Sequence, residues 1–398
     1  MEKTTRVLNI THLASGDLWA GAEVQIFNLV KAQMCLEGVQ VSVILLNEGV
    51  LSRKLRQIGI EVHVISEEEK GCFALFFKVY SLVKAKSPPH IVHTHRRKEN
   101  LLGALAAYSL FRVYSIRTVH GAPEPVERTV AFTQWLLRTV DGLVARFLQS
   151  TTVAVSQELG ANLSKLYGRR HVCVVPNGID VADLLATVNL QSGHCAYRKD
   201  RTRIAFVGRL VPIKRPDRFL DVAKKLSARR PGRYEFYIFG DGPLRSETEN
   251  YLKSHHLVET VHCMGFREDI ATCLAEMDML LMVSDHEGLP MTLLECLALG
   301  VPVIARGVGG IPQVLGNGDA GRIVEDDGSD SVLQAVLELE RDPSGKQRMV
   351  DEGRRRVMQH FSASACAEQY QEIYQGVIRT AGQQSGSGKQ VNGTEYGS

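Results

Sequence analysis

The sequence predicts an α/β protein of two doubly wound, parallel-sheet domains facing a central cleft. Three observations predict it. The 398 residues exceed what one ordinary hydrophobic core organises, so two domains are expected. Short β-branched runs alternate with helical patterns almost throughout, which implies parallel sheets covered on both faces. The alternation also breaks once, at a polar stretch of weak periodicity over residues 180–201, and then starts again.

In the first series, RVLNITH (6–12) reads as a strand and is followed by the Gly-rich loop LASGDLWAGAE and a helix over 22–37. VQVSVILL and IEVHVI are strands around a helix near 51–58. FALFFKVYSLVKAK (73–86) reads as a helix, stopped by Pro88-Pro89. HIVHTH, SIRTVHG and TTVAVS are further strands, with helices near 100–110 and 128–149, and HVCVVPNGID closes the series. In the second series RIAFVGRL, YEFYIFGDG, VHCMGF, MLLMVSDHEG, VPVIARG and GRIVE each form a strand and turn leading into a helix. Helices close the chain near 376–380, and the Gly/Ser/Gln-rich tail is expected to be disordered.

Composition narrows the function. A net charge of +3 gives no electrostatic case for nucleic-acid binding. The eight cysteines include no Cys-x-x-Cys pair, so they read as buried thiols of a reducing compartment. The N-terminus lacks a signal-peptide apolar block and no apolar run is long enough to span a bilayer, so a cytoplasmic location is expected.

Ligands of open α/β sheets bind beyond the carboxyl ends of the strands, so the loops there carry the candidates. In DHEGLPMTLLECLALG, Glu287 precedes a helix, Pro290 suits its first position, and Glu295 lies in its second turn. Amides near Gly288, Leu289, Pro290 and Met291 could receive a phosphate, and Glu295 could accept hydroxyl hydrogen bonds. The plainer reading is that Glu287 complements the helix dipole and Glu295 is a surface residue, although its apolar neighbours argue that it needs a partner. Gly208, Arg209 and Lys214 in FVGRLVPIK follow a strand and suit a diphosphate, or form a solvated basic loop. Gly21 opens a helix whose N-terminus would face the cleft. His120 ends a strand, where it either meets a substrate hydroxyl or is structural. HTHRRKEN reads as a solvated basic face, or as a contact for an anionic acceptor or a membrane surface. The Gly-x-Gly-x-x-Gly dinucleotide fingerprint is missing, which removes the case for a nicotinamide dehydrogenase.

Together and in order, AGAE (20–23), VPNGID (175–180), VGRLVPIK (207–214), EGLPMTLLE (287–295) and LGVPVIARGVGGIPQVL resemble the retaining, nucleotide-sugar-dependent glycosyltransferases of GT-B fold, glycosyltransferase family four. The resemblance covers residues 6–374, with one departure: Ala20 stands where the family has glycine. It implies an N-terminal acceptor domain (1–178), a C-terminal donor domain (179–360), a helix (361–380) crossing back, and a disordered tail (381–398). It implies that Arg209 and Lys214 bind the donor diphosphate, that Glu295 holds the ribose, and that Glu287 and His120 serve the transferred sugar. Met264, Gly265 and Phe266 would lie by the base, and Asn177 and Gly178 at the hinge. No cofactor and no metal are expected, and the sequence has no Asp-x-Asp motif. The expected partners are a nucleotide-sugar donor, UDP first and GDP second, and a glycan or lipid-linked acceptor of cell-surface polysaccharide synthesis. The segments 73–86 and 132–147 read as sheet-covering helices or as a peripheral contact with the inner membrane face. A non-catalytic nucleotide-sugar or glycan-binding subunit of the same fold is the alternative function.

Overall fold

A computed structural model describes residues 7–66, 71–121, 131–168, 171–191, 197 and 200–387. The first apolar run forms β1 (Leu8–Ala14), buried along its whole length as a central strand covered on both faces must be. There follow α1 (Gly21–Gln33), β2 (Val39–Leu45), α2 (Val50–Gln57), β3 (Glu61–Val64), α3 (Cys72–Lys84), β4 (His90–Thr94) and α4 (Arg97–Tyr108). Then come β5 (Val113–Val119), α5 (Ala131–Phe147), β6 (Thr151–Ala154), α6 (Gln157–Tyr167) and β7 (Val172–Val174). The seven strands pair in parallel in the order β3-β2-β1-β4-β5-β6-β7. The winding reverses between β1 and β4, so the loops after these strands part and leave a crevice at the carboxyl edge.

The second domain comprises α7 (Val181–Gln191), β8 (Thr202–Val207), α8 (Pro216–Arg229), β9 (Tyr234–Phe239), α9 (Arg245–Ser254), β10 (Val261–Gly265) and α10 (Ile270–Ala275). It continues with β11 (Met279–Met282), α11 (Met291–Leu299), β12 (Val303–Arg306), α12 (Ile311–Leu315), β13 (Arg322–Val324), α13 (Ser329–Arg341) and α14 (Pro343–His360). Its parallel sheet runs β10-β9-β8-β11-β12-β13 and reverses between β8 and β11. The loops at that reversal are the ones carrying Arg209, Lys214 and Glu287.

The last helix, α15 (Ala363–Ser387), returns to the first domain and packs on α1. Tyr370 and Tyr374 on it are fully buried beside Leu8, Ile10 and Leu29. Each such aromatic stabilises the docking by on the order of 2–3 kcal/mol. The chain crosses between domains twice at one place. Ile179 N–H donates to Phe361 O at 2.8 Å, and Ala363 N–H donates to Ile179 O at 3.1 Å.

Some expectations need correction. Residues 181–191 are a helix, α7, because Val181 and Leu184 recur at helical spacing and pack on the C-terminal core. The crossing helix continues through Ser387, so the tail expected to be disordered from 381 is helical over 381–387. Residues 388–398, and 128–130 of the helix expected at 128–149, lie outside the described residues. Among the described residues no helix is long and apolar enough to cross a membrane.

Candidate active site

The carboxyl edges of the two sheets face each other across a cavity of about 590 Å³. Its C-terminal wall starts with a 3-10 turn, Pro212–Lys214, which lifts Lys214 out of the loop after β8. Lys214 Nζ lies 2.6 and 2.7 Å from the two carboxylate oxygens of Glu287. Glu287 is buried, at 7% exposure, so this pair holds its charge where water cannot. Asp285 ties the two loops together. It accepts from Arg218 at 2.6 Å, Arg306 at 2.6 Å and Arg215 at 3.2 Å, and its own N–H donates to Ile213 O at 2.8 Å. The three arginines therefore brace the two loops rather than reach toward a ligand.

Glu295 is one helical turn deeper, also 7% exposed, and no hydrogen bond to it is made among the described residues. Burial alone pushes its carboxyl up from 4.5 to about 7. It lines the cavity, so a ligand hydroxyl could satisfy it. Glu287 and Glu295 are thus distinct in role: one is neutralised by a lysine, the other lacks a donor.

Two helix N-termini meet the cavity. Pro290 caps α11 with an extended backbone instead of occupying its first turn, which begins at Met291. The amides of Met291, Thr292 and Leu293 thus have no carbonyl one turn back within the helix. Across from them α1 begins at Gly21, where a Cβ would stand 3.9 Å from Met291 Cγ. Glu23 fixes this end of α1. It accepts the Ala20 N–H at 3.2 Å and an Arg96 hydrogen bond at 2.5 Å. Ala20 has φ −134°, a conformation open to any residue, so the departure from the family's glycine carries no strain.

Glycine is required where the two domains touch. A Cβ on Gly288 would lie 1.9 Å from His120 O, so only glycine lets these backbones meet. Gly309, at φ +60°, would place a Cβ 1.8 Å from Glu287 O. Asn177 Nδ2 donates to Leu289 O at 2.8 Å, tying the end of the first sheet to the α11 loop. Gly178 lies away from the cavity against Ser362, with its N–H on Gln25 Oε1 at 3.1 Å.

The structure thus gathers Gly21, His120, Asn177, Gly208, Arg209, Lys214, Phe266, Glu287, Gly288, Leu289, Pro290, Met291 and Glu295 on one cavity. The expectation for Met264 and Gly265 is corrected. Met264 packs on the C-terminal core, and Gly265 turns the chain at φ +69° with its carbonyl on Gly240 N–H, so Phe266 alone of the three lines the cavity. HTHRRKEN is corrected too. His93 and His95 are buried, because β4 lies between β1 and β5 and is covered on both faces, while Lys98 is exposed. The residues missed include Asp241, Arg267 and Ile270, which also line the cavity. Each follows a strand or opens a helix at the same sheet edge, which was the available signal.

His120 Nε2 lies 3.1 Å from His95 Nδ1. Burial first, then Arg96 and Arg117, lowers its imidazole to about 4, so it is neutral near pH 7. Among the described residues, one group of histidines has the spacing to hold a metal: His12, His93 and His95, with donor atoms within 4.8 Å of one another.

An architecture of two facing doubly wound domains, with the cleft at both strand-order reversals, is that of the GT-B glycosyltransferases. Residues 195–356 match the family model of glycosyl transferases group 1, and residues 19–183 that of glycosyltransferase family 4. The chain belongs to this glycosyltransferase family. It is 27% identical over 272 residues to a UDP-Gal:alpha-D-GlcNAc-diphosphoundecaprenol alpha-1,3-galactosyltransferase of Escherichia coli, covering 66% of this chain and 69% of that one. It is 25% identical over 358 residues to the capsular polysaccharide biosynthesis glycosyltransferase CapM of Staphylococcus aureus, covering 82% and 92%. A match of 32% identity to the N-acetyl-alpha-D-glucosaminyl L-malate synthase of Bacillus anthracis spans 36% of this chain and 37% of that one. Among solved structures, Anabaena HepE in complex with UDP and glucose superposes with a TM-score of 0.76 at 19% identity, over 92% of this chain and 99% of that one, a likeness of fold.

Proposed function

We propose that this protein is a retaining glycosyltransferase that moves a sugar from a nucleotide-diphosphate sugar, UDP first, to a glycan or lipid-linked acceptor in cell-surface polysaccharide synthesis. The carrying observation is the single cavity that unites Arg209, Lys214, the α11 amides and the unpartnered Glu295. The names of the E. coli and S. aureus relatives and the UDP bound to HepE support this donor and this role.

The geometry suggests a division of labour. Glu295 accepts ribose hydroxyls. Arg209, Lys214 and the amides at the start of α11 hold the diphosphate, where negative charge grows as the sugar leaves. These fixed donors favour the transition state over the ground state without a resident metal. Glu287, joined to Lys214, sits next to the diphosphate position and steadies positive charge on the anomeric carbon. His120 meets a sugar hydroxyl from the opposite wall. Attack comes from the leaving-group side, with the departing phosphate taking the acceptor's proton, which retains configuration. Closure of the two domains excludes water and limits hydrolysis.

For the acceptor side we propose a peripheral contact with an anionic membrane face. The inner face of α3 covers the sheet with Leu75, Val79 and Val83, but its outer face exposes Phe73 and Phe77. Neighbouring α4 exposes Leu101, Leu105 and Tyr108, and α5 exposes Leu143 and Phe147. Exposed charges on the described parts of these helices, Lys78, Lys84, Lys98 and Arg146, are all basic. Co-sedimentation with anionic but not zwitterionic vesicles is the expected result; equal pelleting with neither would remove this contact.

The donor assignment is tested by calorimetric titration with UDP, GDP and ADP, followed by nucleotide release from a panel of sugar donors. Preferential UDP binding with slow UDP release is expected. Equal weak binding of all three would sink the donor pocket, and tight binding without turnover would favour a non-catalytic binding subunit.

A further inference from the structure

The N-terminal wall holds a buried hydrogen-bonded chain that no motif explains. His12 Nε2 lies 2.8 Å from Gln33 Oε1, His12 Nδ1 lies 2.9 Å from His95 Nε2, and His95 Nδ1 lies 3.1 Å from His120 Nε2. The rings of each bonded pair are near-parallel, with interplanar angles of 14° and 28°. Gln33, His12 and His95 are buried and His120 is half-buried, which disfavours a cationic ring.

A neutral imidazole carries one N–H and one bare nitrogen, so each ring passes a direction to the next. Gln33 fixes that direction. Its Nε2 donates to Tyr374 Oη at 3.0 Å, a hydroxyl free to accept there when its own proton goes to His93 Nδ1 at 2.8 Å, so the Gln33 carbonyl faces His12, where it can only accept. His12 then carries its proton on Nε2 and accepts through Nδ1. His95 must donate from Nε2 and accept through Nδ1. His120 must donate from Nε2, leaving its Nδ1 bare. That Nδ1 is buried and has no hydrogen-bond partner among the described residues, on a side chain that lines the cavity.

We infer that Gln33, His12 and His95 are positioning residues that lock His120 as its Nε2–H tautomer, with Tyr374 of the crossing helix setting the direction. Nδ1 is covered in this structure, so it becomes a lone-pair acceptor for a hydroxyl of the transferred sugar as the cleft adjusts around that sugar. This second statement rests on the proposed donor site; the tautomer does not. The lock links two distant requirements, because α15 must be docked on α1 for Tyr374 to hold the amide.

The cluster of His12, His93 and His95 is better explained by this network than as a metal site. His93 places Nδ1 2.8 Å from Tyr374 Oη and Nε2 2.7 Å from Thr118 Oγ1. All six ring nitrogens of the three histidines therefore already have a partner, and a metal would have to break these bonds.

The test is long-range proton–nitrogen correlation NMR on the full chain with ¹⁵N-labelled histidine, His120 being identified by loss of its signals in His120→Asn. Neutral Nε2–H tautomers are expected for His12, His95 and His120 near pH 7. Tyr374→Phe removes the amide's acceptor, so a population of His120 Nδ1–H should appear. The donor-sugar KM should rise about threefold to tenfold, the scale of one uncharged hydrogen bond, while UDP affinity changes less than about twofold. Gln33→Leu should have the same signature if Tyr374→Phe fails to fold. An Nδ1–H tautomer for His120 in the wild type overturns the inference, as does a His120 signal unmoved in both variants. So does about one tightly held metal per chain whose removal shifts the ring signals. The expected tautomers without any UDP-sugar binding would support the lock and sink the donor-site reading instead.

Discussion

The two walls of the cleft are built from opposite electrostatics. The C-terminal wall works with formal charge: Lys214 against Glu287, Asp285 among three arginines, and Glu295 held near its titration point. The N-terminal wall works with neutral groups, its histidines kept uncharged by burial and joined ring to ring. The difference follows from what each wall would face. A diphosphate is dianionic and gains charge as its sugar leaves, so fixed cations and amides favour that moment. A sugar is neutral, and a cation beside it would only compete for the phosphate. Directional hydrogen bonds suit it better.

The largest effect should come from the charged wall. Lys214→Ala removes a proposed hydrogen-bond donor to the diphosphate and leaves Glu287 buried without its partner, so kcat/KM should fall about 10³-fold. Initial rates with a UDP-sugar check this, and a loss within threefold would break the contrast between the walls. Next is His120→Ala, where a loss of about tenfold to thirtyfold in kcat/KM is expected with UDP affinity nearly unchanged. If UDP binding weakens in parallel, the neutral wall serves the nucleotide and not the sugar.

Glu295→Gln sharpens the comparison within the charged wall. A carboxyl raised from 4.5 to about 7 by burial disfavours the fold once it ionises. The penalty is absent below pH 4.5, grows up to pH 7 and stays level above, on the order of 3 kcal/mol. Denaturant titrations should therefore find Glu295→Gln more stable by about 2–3 kcal/mol at pH 8 and no more stable at pH 4. The same residue should make UDP affinity rise about tenfold from pH 6 to pH 8, since binding selects the carboxylate. A pH dependence that survives in Glu295→Gln belongs to another group. The smallest effect is at Ala20→Gly: the backbone there is already extended, so activity should change less than about threefold.

Much of this was legible in the chain. Strand–helix alternation foretold both sheets. The loops of Arg209 and Lys214, and of Glu287 and Glu295, announced themselves because a charged residue after an apolar strand must sit at the sheet edge. The less legible parts depended on neighbours remote in sequence. HTHRRKEN looked like a solvated basic face, yet β4 is a central strand covered on both faces, so its histidines are buried. The family resemblance placed Met264, Gly265 and Phe266 by the base, and only Phe266, the first residue past β10, lines the cavity. The polar character of 180–201 masked the Val181 and Leu184 stripe of α7.

The sequence by itself determined the architecture and the placement of Arg209 and Lys214 at the sheet edge, since hydrophobic period and local charge are properties of contiguous residues. Tertiary structure decided which nitrogen of His120 is bare, and that Glu287 has a lysine while Glu295 has none. Those depend on Gln33, Tyr374 and Lys214 arriving from elsewhere in the chain. A hydrogen bond or ion pair is set by the last few tenths of an ångström between such groups, and only the folded packing supplies that.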